Sequence, residues 1–214
     1  MSVAALFGLE ARVAEASARL VDSELFPEEL DFIRKAVPSR RAEFGTARVC
    51  ARRALAELGV SPAPLVPGDG RAPVWPSGVV GSISHTHGHC VVVVAPRPPV
   101  RSIGLDVEVL RTLEPGVVAM ILTARERAWL ATQPAGRQND LALTVFCAKE
   151  AFYKCQYPVT GAFLEFSEVE VDLSADAGTF EARVLVPTRP ETSRLSGRVV
   201  YEGSRVACGV TLSE

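Results

Sequence analysis

An α+β fold is predicted by three features of the sequence. Segments with apolar residues near the helical period, such as 39–59 and 139–158, stand beside short runs rich in β-branched residues, such as "CVVVVAP" at 90–96. Both halves of the chain pair helices with later strands that read as antiparallel. No short-period repeat and no apolar run of membrane-spanning length interrupts the pattern.

Each element follows from local signals. "PEELDFIRKAV" (27–37) opens with Pro and acids, as the first turn of a helix does. Pro38 interrupts it, and a long helix is predicted over 39–59, with Ser39 as its cap and Gly59 as its end. Its apolar positions include Phe44, Ala47, Cys50, Ala54, Leu55 and Leu58, which leaves the arginines for the wetter side. The Pro- and Gly-rich stretch 61–78 is a loop. Strands are predicted at 79–84, 90–96 and 101–110, the first two joined by "HTHGH". Helical patterns return at 114–122, 123–132 and 139–158, with a capping box between Thr123 and Glu126. Strand signals follow at 163–173, 180–186, 197–202 and 205–212. A boundary near residues 97–102 gives two halves, 1–100 and 101–214.

Composition narrows the function. A net charge of −2 argues against general nucleic-acid binding. Charge is uneven, however: segment 34–53 holds Arg34, Lys35, Arg40, Arg41, Arg48, Arg52 and Arg53 against Glu43 alone. A local basic face on a mildly acidic chain suits a compact anionic ligand. The five cysteines are odd in number and form no CxxC pair, which points to a reducing cytoplasm rather than to a disulfide framework. The N-terminal stretch lacks the basic n-region of a secretory signal, and charges follow too soon after its apolar start.

Three constellations carry possible chemistry. In "GLDVE", Asp106 and Glu108 lie two apart, so on a strand they share a face. That arrangement suits a hard cation such as Mg²⁺, and equally an ordinary solvated strand face. In "FCAKEAFYKCQYP", Glu150 and Lys154 are four apart on a helix, beside Phe146, Tyr153 and Tyr157. They form either a surface ion pair or an acid and a cation aimed at a substrate. His85, His87 and His89 alternate, as zinc ligands could, but Gly88 and the turn weaken that geometry. A hydrogen bond from His85 to a phosphate is the better use.

The order of basic helix, "GSISHT" (81–86), "GLDVE" (104–108) and "FCAKEAFYK" (146–154) resembles the Sfp/EntD-type 4′-phosphopantetheinyl transferases, from about Ser39 to Pro158. Their hallmarks are a G-x-D-x-E strand and, about forty residues on, a [W/F]-x-x-K-E-A-x-x-K helix; both are met here. The resemblance implies two pseudo-symmetric α+β halves in one chain, with the active site in the cleft between them. It implies transfer of 4′-phosphopantetheine from coenzyme A to a serine of an acyl or peptidyl carrier protein, with release of 3′,5′-ADP. It further implies Mg²⁺, with Mn²⁺ as the alternative ion, held by Asp106, Glu108 and Glu150. Glu150 would also act as base and Lys154 would serve the leaving phosphate. Arg40, Arg48, Ser84, His85 and Lys149 would contact coenzyme A, and Arg71 could add charge near Pro67. The expected enzyme is a cytoplasmic monomer that binds no nucleic acid and no membrane. A metal-dependent nucleotide phosphohydrolase and a silent coenzyme A- or carrier-binding module are the competing readings.

Overall fold

The computed structural model describes residues 2–68 and 72–214. Contacts divide the chain into two units: Gly8–Ile103 with Ser213–Glu214, and the N-terminal segment through Phe7 with Gly104–Leu212. The fold is α+β with two antiparallel sheets, of three and five strands.

The first unit contains β1 (Arg12–Ser17), α1 (Pro27–Ile33), α2 (Pro38–Ala56), β2 (Val79–Thr86) and β3 (His89–Pro96). The strands run in the order β1-β3-β2, and α2 packs across them. Cys50, Ala51, Ala54 and Leu55 of α2 meet Ala14, Val92 and Val94 to form the core. β1 was not expected from the sequence. It is six residues long with one β-branched residue, Val13, and it pairs along β3 from Arg12↔Val94 to Ser17↔His89. The hairpin between β2 and β3 closes with His87 at φ 40° and Gly88 at φ 74°, the left-handed pair that a two-residue turn requires.

Two expectations about α2 are corrected. Its cap is Val37 rather than Ser39, because Pro38 occupies the first helical position, where its fixed φ suits the helix and its missing N–H costs nothing. The arginines do not all lie on the wet side: Arg48 is 5% exposed, and Arg52 is mostly buried. Glu29 of α1 explains the second case. Its fully buried carboxylate accepts hydrogen bonds from Arg52 Nη1 at 2.7 Å, Leu65 N at 2.9 Å and Phe26 N at 3.0 Å. A buried charge is tolerated when it is paired and hydrogen-bonded in this way, and here the pairing ties α1, α2 and the loop at Leu65 together.

The second unit takes in β4 (Val100–Val109) from Gly104 onward. It continues with α3 (Pro115–Ile121), α4 (Ala124–Ala131), α5 (Ala135–Thr160), β5 (Val169–Ser174), β6 (Thr179–Val184), β7 (Arg194–Glu202) and β8 (Arg205–Ser213). The sheet order is β4-β8-β7-β6-β5. Cys147, Ala148, Ala151, Phe152 and Cys155 of α5 pack with Val171, Phe180, Val199 and Cys208 of the sheet. The capping box at Thr123 and Glu126 forms as expected. The strand predicted from 163 begins only at Val169, because Glu165 and Glu168 close a short 3₁₀ turn before it.

Gly104 sets the distance between β4 and α5. A Cβ there would lie 1.9 Å from the Ala151 carbonyl oxygen and 2.7 Å from the Cys155 nitrogen. These are backbone atoms, so neither can swing aside, and only glycine permits the approach. Gly104→Ala is therefore expected to lower unfolding stability by about 3 kcal/mol, the upper range for overpacking. Gly136→Ala, which meets open space in α5, should stay within about 0.5 kcal/mol of wild type. Urea melts of the two variants make the comparison, and equal midpoints would refute the close-approach account.

Candidate active site

The approach at Gly104 brings the acids of β4 to α5. Lys154 Nζ donates to Asp106 Oδ1 at 2.7 Å, and Asp106 is 4% exposed. Lys154 thus pairs with Asp106 rather than with Glu150, its neighbour one turn back. Burial works to lower the Lys154 pKa, but the charge and hydrogen bond of Asp106 and the charge of Glu150 outweigh it, so the ammonium form is favoured. Glu150 is half-buried; burial first and then the Asp106 charge raise its pKa, against the pull of Lys154. The second carboxylate oxygen, Asp106 Oδ2, is also buried. Glu108, two residues on along β4, is half-buried.

Among the described residues, no three His, Cys, Asp or Glu side chains form a ready-made metal site. The donor set nonetheless fits a hard cation. It is all carboxylate, and an ionised carboxylate offers about four lone-pair sites, so the Lys154 contact does not exhaust Asp106. Mg²⁺ commonly uses one or two carboxylates and completes its shell with substrate phosphate and water.

Lys149, on the same helix, is held by a different set of partners. Its ammonium is buried and donates to Glu126 Oε2 at 2.7 Å, the Phe166 carbonyl at 2.8 Å and the Ile121 carbonyl at 2.9 Å. All three donors are used inside this unit. Burial lowers its pKa, opposed by Glu126. Glu126 meanwhile accepts from the backbone N–H groups of Thr123 and Val171, both at 2.7 Å. The sequence shows only the capping half of this arrangement.

Beside Glu150 lies a cavity of about 170 Å³, lined by Tyr153, Phe163, Leu164, Phe166 and Val169 together with Lys149 and Glu165. Tyr153 stacks on Tyr157 at 5.4 Å and meets the Phe163 ring edge-on at 5.9 Å. Phe146 packs on Phe166 at 5.6 Å and so buttresses one wall.

The first unit carries the basic group. A cavity of about 390 Å³ is lined by Arg40, Arg48, His85, Glu43, Phe32, Phe44 and the prolines 67 and 73, among others. Arg48 lies with its guanidinium carbon 3.8 Å from the centre of the Phe44 ring, and its Nε donates to the Leu65 carbonyl at 2.7 Å. Burial lowers its pKa to about 10, so it stays charged at neutral pH. Arg40 is half-exposed and donates to His85 Nε2 at 3.0 Å. Ser84 is buried and, by strand alternation, faces the other side of the sheet from His85. The three histidines part company, since His89 turns to Glu15 at 3.0 Å. Arg71 lies outside the described residues.

Comparison with known proteins assigns the chain to a family. Residues 27–95 match the 4′-phosphopantetheinyl transferase N-terminal domain, and residues 102–208 match the 4′-phosphopantetheinyl transferase superfamily. The chain belongs to the Sfp/EntD-type 4′-phosphopantetheinyl transferases. It is 48% identical over 166 residues to the 4′-phosphopantetheinyl transferase Svp of Streptomyces mobaraensis, covering 77% of this chain and 68% of Svp. It is 40% identical over 195 residues to PptT of Mycobacterium tuberculosis, covering 87% and 85% of the two chains. The enterobactin synthase component D of Escherichia coli is more distant, at 36% identity over 131 residues, covering 59% of this chain and 60% of that protein. The protein is thus a transferase that moves 4′-phosphopantetheine to carrier proteins.

In this transferase the K-E-A motif joins a structural lysine to a glutamate at the candidate site. Lys149→Met should lower stability by about 3 kcal/mol, because it leaves the Glu126 charge buried without its cation. The double variant Lys149→Met with Glu126→Gln should recover part of that loss. Denaturant melts test both, and a single variant as stable as wild type would refute the buried-pair account.

Proposed function

We propose that coenzyme A is the donor and that a serine hydroxyl of an acyl or peptidyl carrier protein is the acceptor. The observation that carries this reading is the meeting of Asp106, Lys154 and Glu150 at the crossing of β4 and α5, where acids and a cation share one small volume.

Asp106, Glu108 and Glu150 would hold a Mg²⁺ ion, or Mn²⁺ in its place. Bound there, the ion would neutralise charge on the pyrophosphate. Glu150 accepts the proton of the serine hydroxyl. The serine oxygen forms a bond to the phosphorus that bears pantetheine, and the bond from that phosphorus to the bridging oxygen breaks. The electron pair leaves with 3′,5′-ADP, and Lys154 compensates the charge that develops on it. Its raised pKa supports that role, since a lysine held charged is ready for an anion. The raised pKa of Glu150 moves a carboxylate towards the range of a useful base. The cavity beside Glu150, with aromatic and aliphatic walls and a few polar groups, suits the pantetheine arm.

Arg40, Arg48 and His85 would bind the 3′-phosphate, with the Phe44 ring behind Arg48. Ser84 would contact coenzyme A from the other sheet face. One chain carries every residue invoked, which supports action as a monomer. Five free, buried thiols support a reducing, cytoplasmic setting. Among the described residues no helix is long and apolar enough to cross a membrane.

Incubation of an apo-carrier with coenzyme A and Mg²⁺ should add the mass of phosphopantetheine. Nucleotide breakdown without carrier modification would overturn the reading. In single-turnover assays, Glu150→Gln and Lys154→Ala should each slow carrier modification by about 10²-fold or more while retaining the fold. Wild-type rates in both would leave this group without a catalytic part. Arg40→Ala should weaken coenzyme A about tenfold, the cost of one charge-assisted contact, and leave dephospho-coenzyme A nearly unchanged in calorimetry. Equal weakening of both ligands would remove Arg40 from the 3′-phosphate site.

A further inference from the structure

The end of α5 carries a closed ring of hydrogen bonds that no step of the transfer uses. Gln156 is fully buried, and its Nε2 donates to the Ala162 carbonyl at 2.9 Å. A carbonyl only accepts, so the amide turns its NH₂ to Ala162 and its Oε1 to Thr160. The Thr160 hydroxyl donates to that Oε1 at 2.5 Å and accepts from the Ala162 N–H at 3.0 Å. Both backbone groups of Ala162 are thus held by two side chains one turn apart on α5. Gly161 permits the bend between them: it takes φ 66° and closes the helix on the Tyr157 carbonyl at 2.8 Å.

The ring anchors one wall of a cavity. Four residues on from Ala162, the Phe166 carbonyl accepts from Lys149 Nζ at 2.8 Å. The stretch 162–166 is therefore fastened to α5 at both ends, by Gln156 with Thr160 and by Lys149. Between the fastenings lie Phe163, Leu164 and Glu165, which line the cavity beside Glu150. Gln156 and Thr160 stand behind this lining, not in it. Phe163 meets Tyr153 edge-on at 5.9 Å, yet it is 71% exposed. Its ring is set in place and left uncovered. We propose that Gln156 is a positioning residue for the pantetheine arm: through Thr160 and Ala162 it holds Phe163 and Leu164 as the wall against which the arm packs. This rests on the reading of the cavity as the arm's site.

The physical effect is ordering before the ligand arrives. A wall left mobile must be immobilised by the ligand, and that cost is subtracted from affinity. With the ring intact, the wall is ordered when the protein folds. The arm carries a gem-dimethyl group and two amides, which match an aromatic and aliphatic wall with few polar groups. The other part of coenzyme A, 3′,5′-ADP, has no arm and does not meet this wall. The ring should therefore matter for coenzyme A and not for 3′,5′-ADP. Gln156→Met keeps the length of the side chain without its hydrogen bonds. Thr160→Val keeps the shape but breaks the relay from Ala162 to Gln156, whereas Thr160→Ser keeps the hydroxyl.

Calorimetric titration of the intact protein with coenzyme A and with 3′,5′-ADP, beside a denaturant melt of each variant, tests this. Gln156→Met and Thr160→Val should each weaken coenzyme A about tenfold and leave 3′,5′-ADP within about twofold of wild type. Thr160→Ser should bind both ligands as wild type does. Phe163→Ala should weaken coenzyme A alone, and by less when Thr160→Val is already present, because the two changes act on one wall. Where Gln156→Met fails to fold, Thr160→Val, at a half-buried position, decides. Equal weakening of both ligands by Thr160→Val, or the same loss in Thr160→Ser as in Thr160→Val, would overturn the proposal. So would full additivity of Phe163→Ala with Thr160→Val. If Phe163→Ala weakens coenzyme A alone but Gln156→Met and Thr160→Val do not, this inference fails and the cavity reading stands. If Phe163→Ala leaves coenzyme A binding unchanged, both fail.

Discussion

The crossing of β4 and α5 at Gly104 is the constraint from which the candidate site follows. A strand backbone can lie against the 151–155 turn of a helix only where no side chain intervenes, and Gly104 supplies that position. Two residues along the strand, Asp106 then meets Lys154 at 2.7 Å. The glycine, the aspartate and the lysine of the two motifs are thus one geometric unit. Any widening at Gly104 would separate the charges, and each would lose the partner that makes its burial tolerable.

A second buried ion pair, between Glu126 and Lys149, works on the same helix towards a different end. Lys149 and Lys154 are both lysines of α5, yet their environments diverge. Lys149 has its donors closed on a carboxylate and two carbonyls, with its pKa lowered by burial. Lys154 is partly open to solvent and has its pKa raised by Asp106 and Glu150 over the opposing effect of burial. The first fixes the turn before β5 through the Phe166 carbonyl, and that turn carries Phe166, the ring that packs on Phe146. Helix, turn and aromatic wall are held by one ammonium group.

What could be read from the sequence was local. Helix periodicity, β-branched runs and the Thr123–Glu126 box gave most elements, because the physics that forms them acts within a few residues. β1 escaped because its stability comes from pairing with β3 rather than from its own residues. Asp106, Glu108, Glu150 and Lys154 stood out by motif and by shared face, but the pairing of Lys154 with Asp106 joins residues 48 apart. The burial of Arg48 and Arg52 was hidden for the same reason. Their partners, Leu65 and Glu29, come from other segments. Ser84 and His85 are adjacent in the chain, and only strand alternation assigns them to opposite faces.

The clamp at Glu29 has a bearing on recognition. Glu29 fastens the Leu65 peptide nitrogen, and the carbonyl of the same residue fastens Arg48 Nε. Arg48 is further confined by the Phe44 ring. A long cationic side chain ordinarily surrenders about 2 kcal/mol of rotamer entropy when a ligand immobilises it. Here that ordering is completed during folding. An anion entering the cavity would meet a cation that is already still, so more of the electrostatic attraction would remain as affinity.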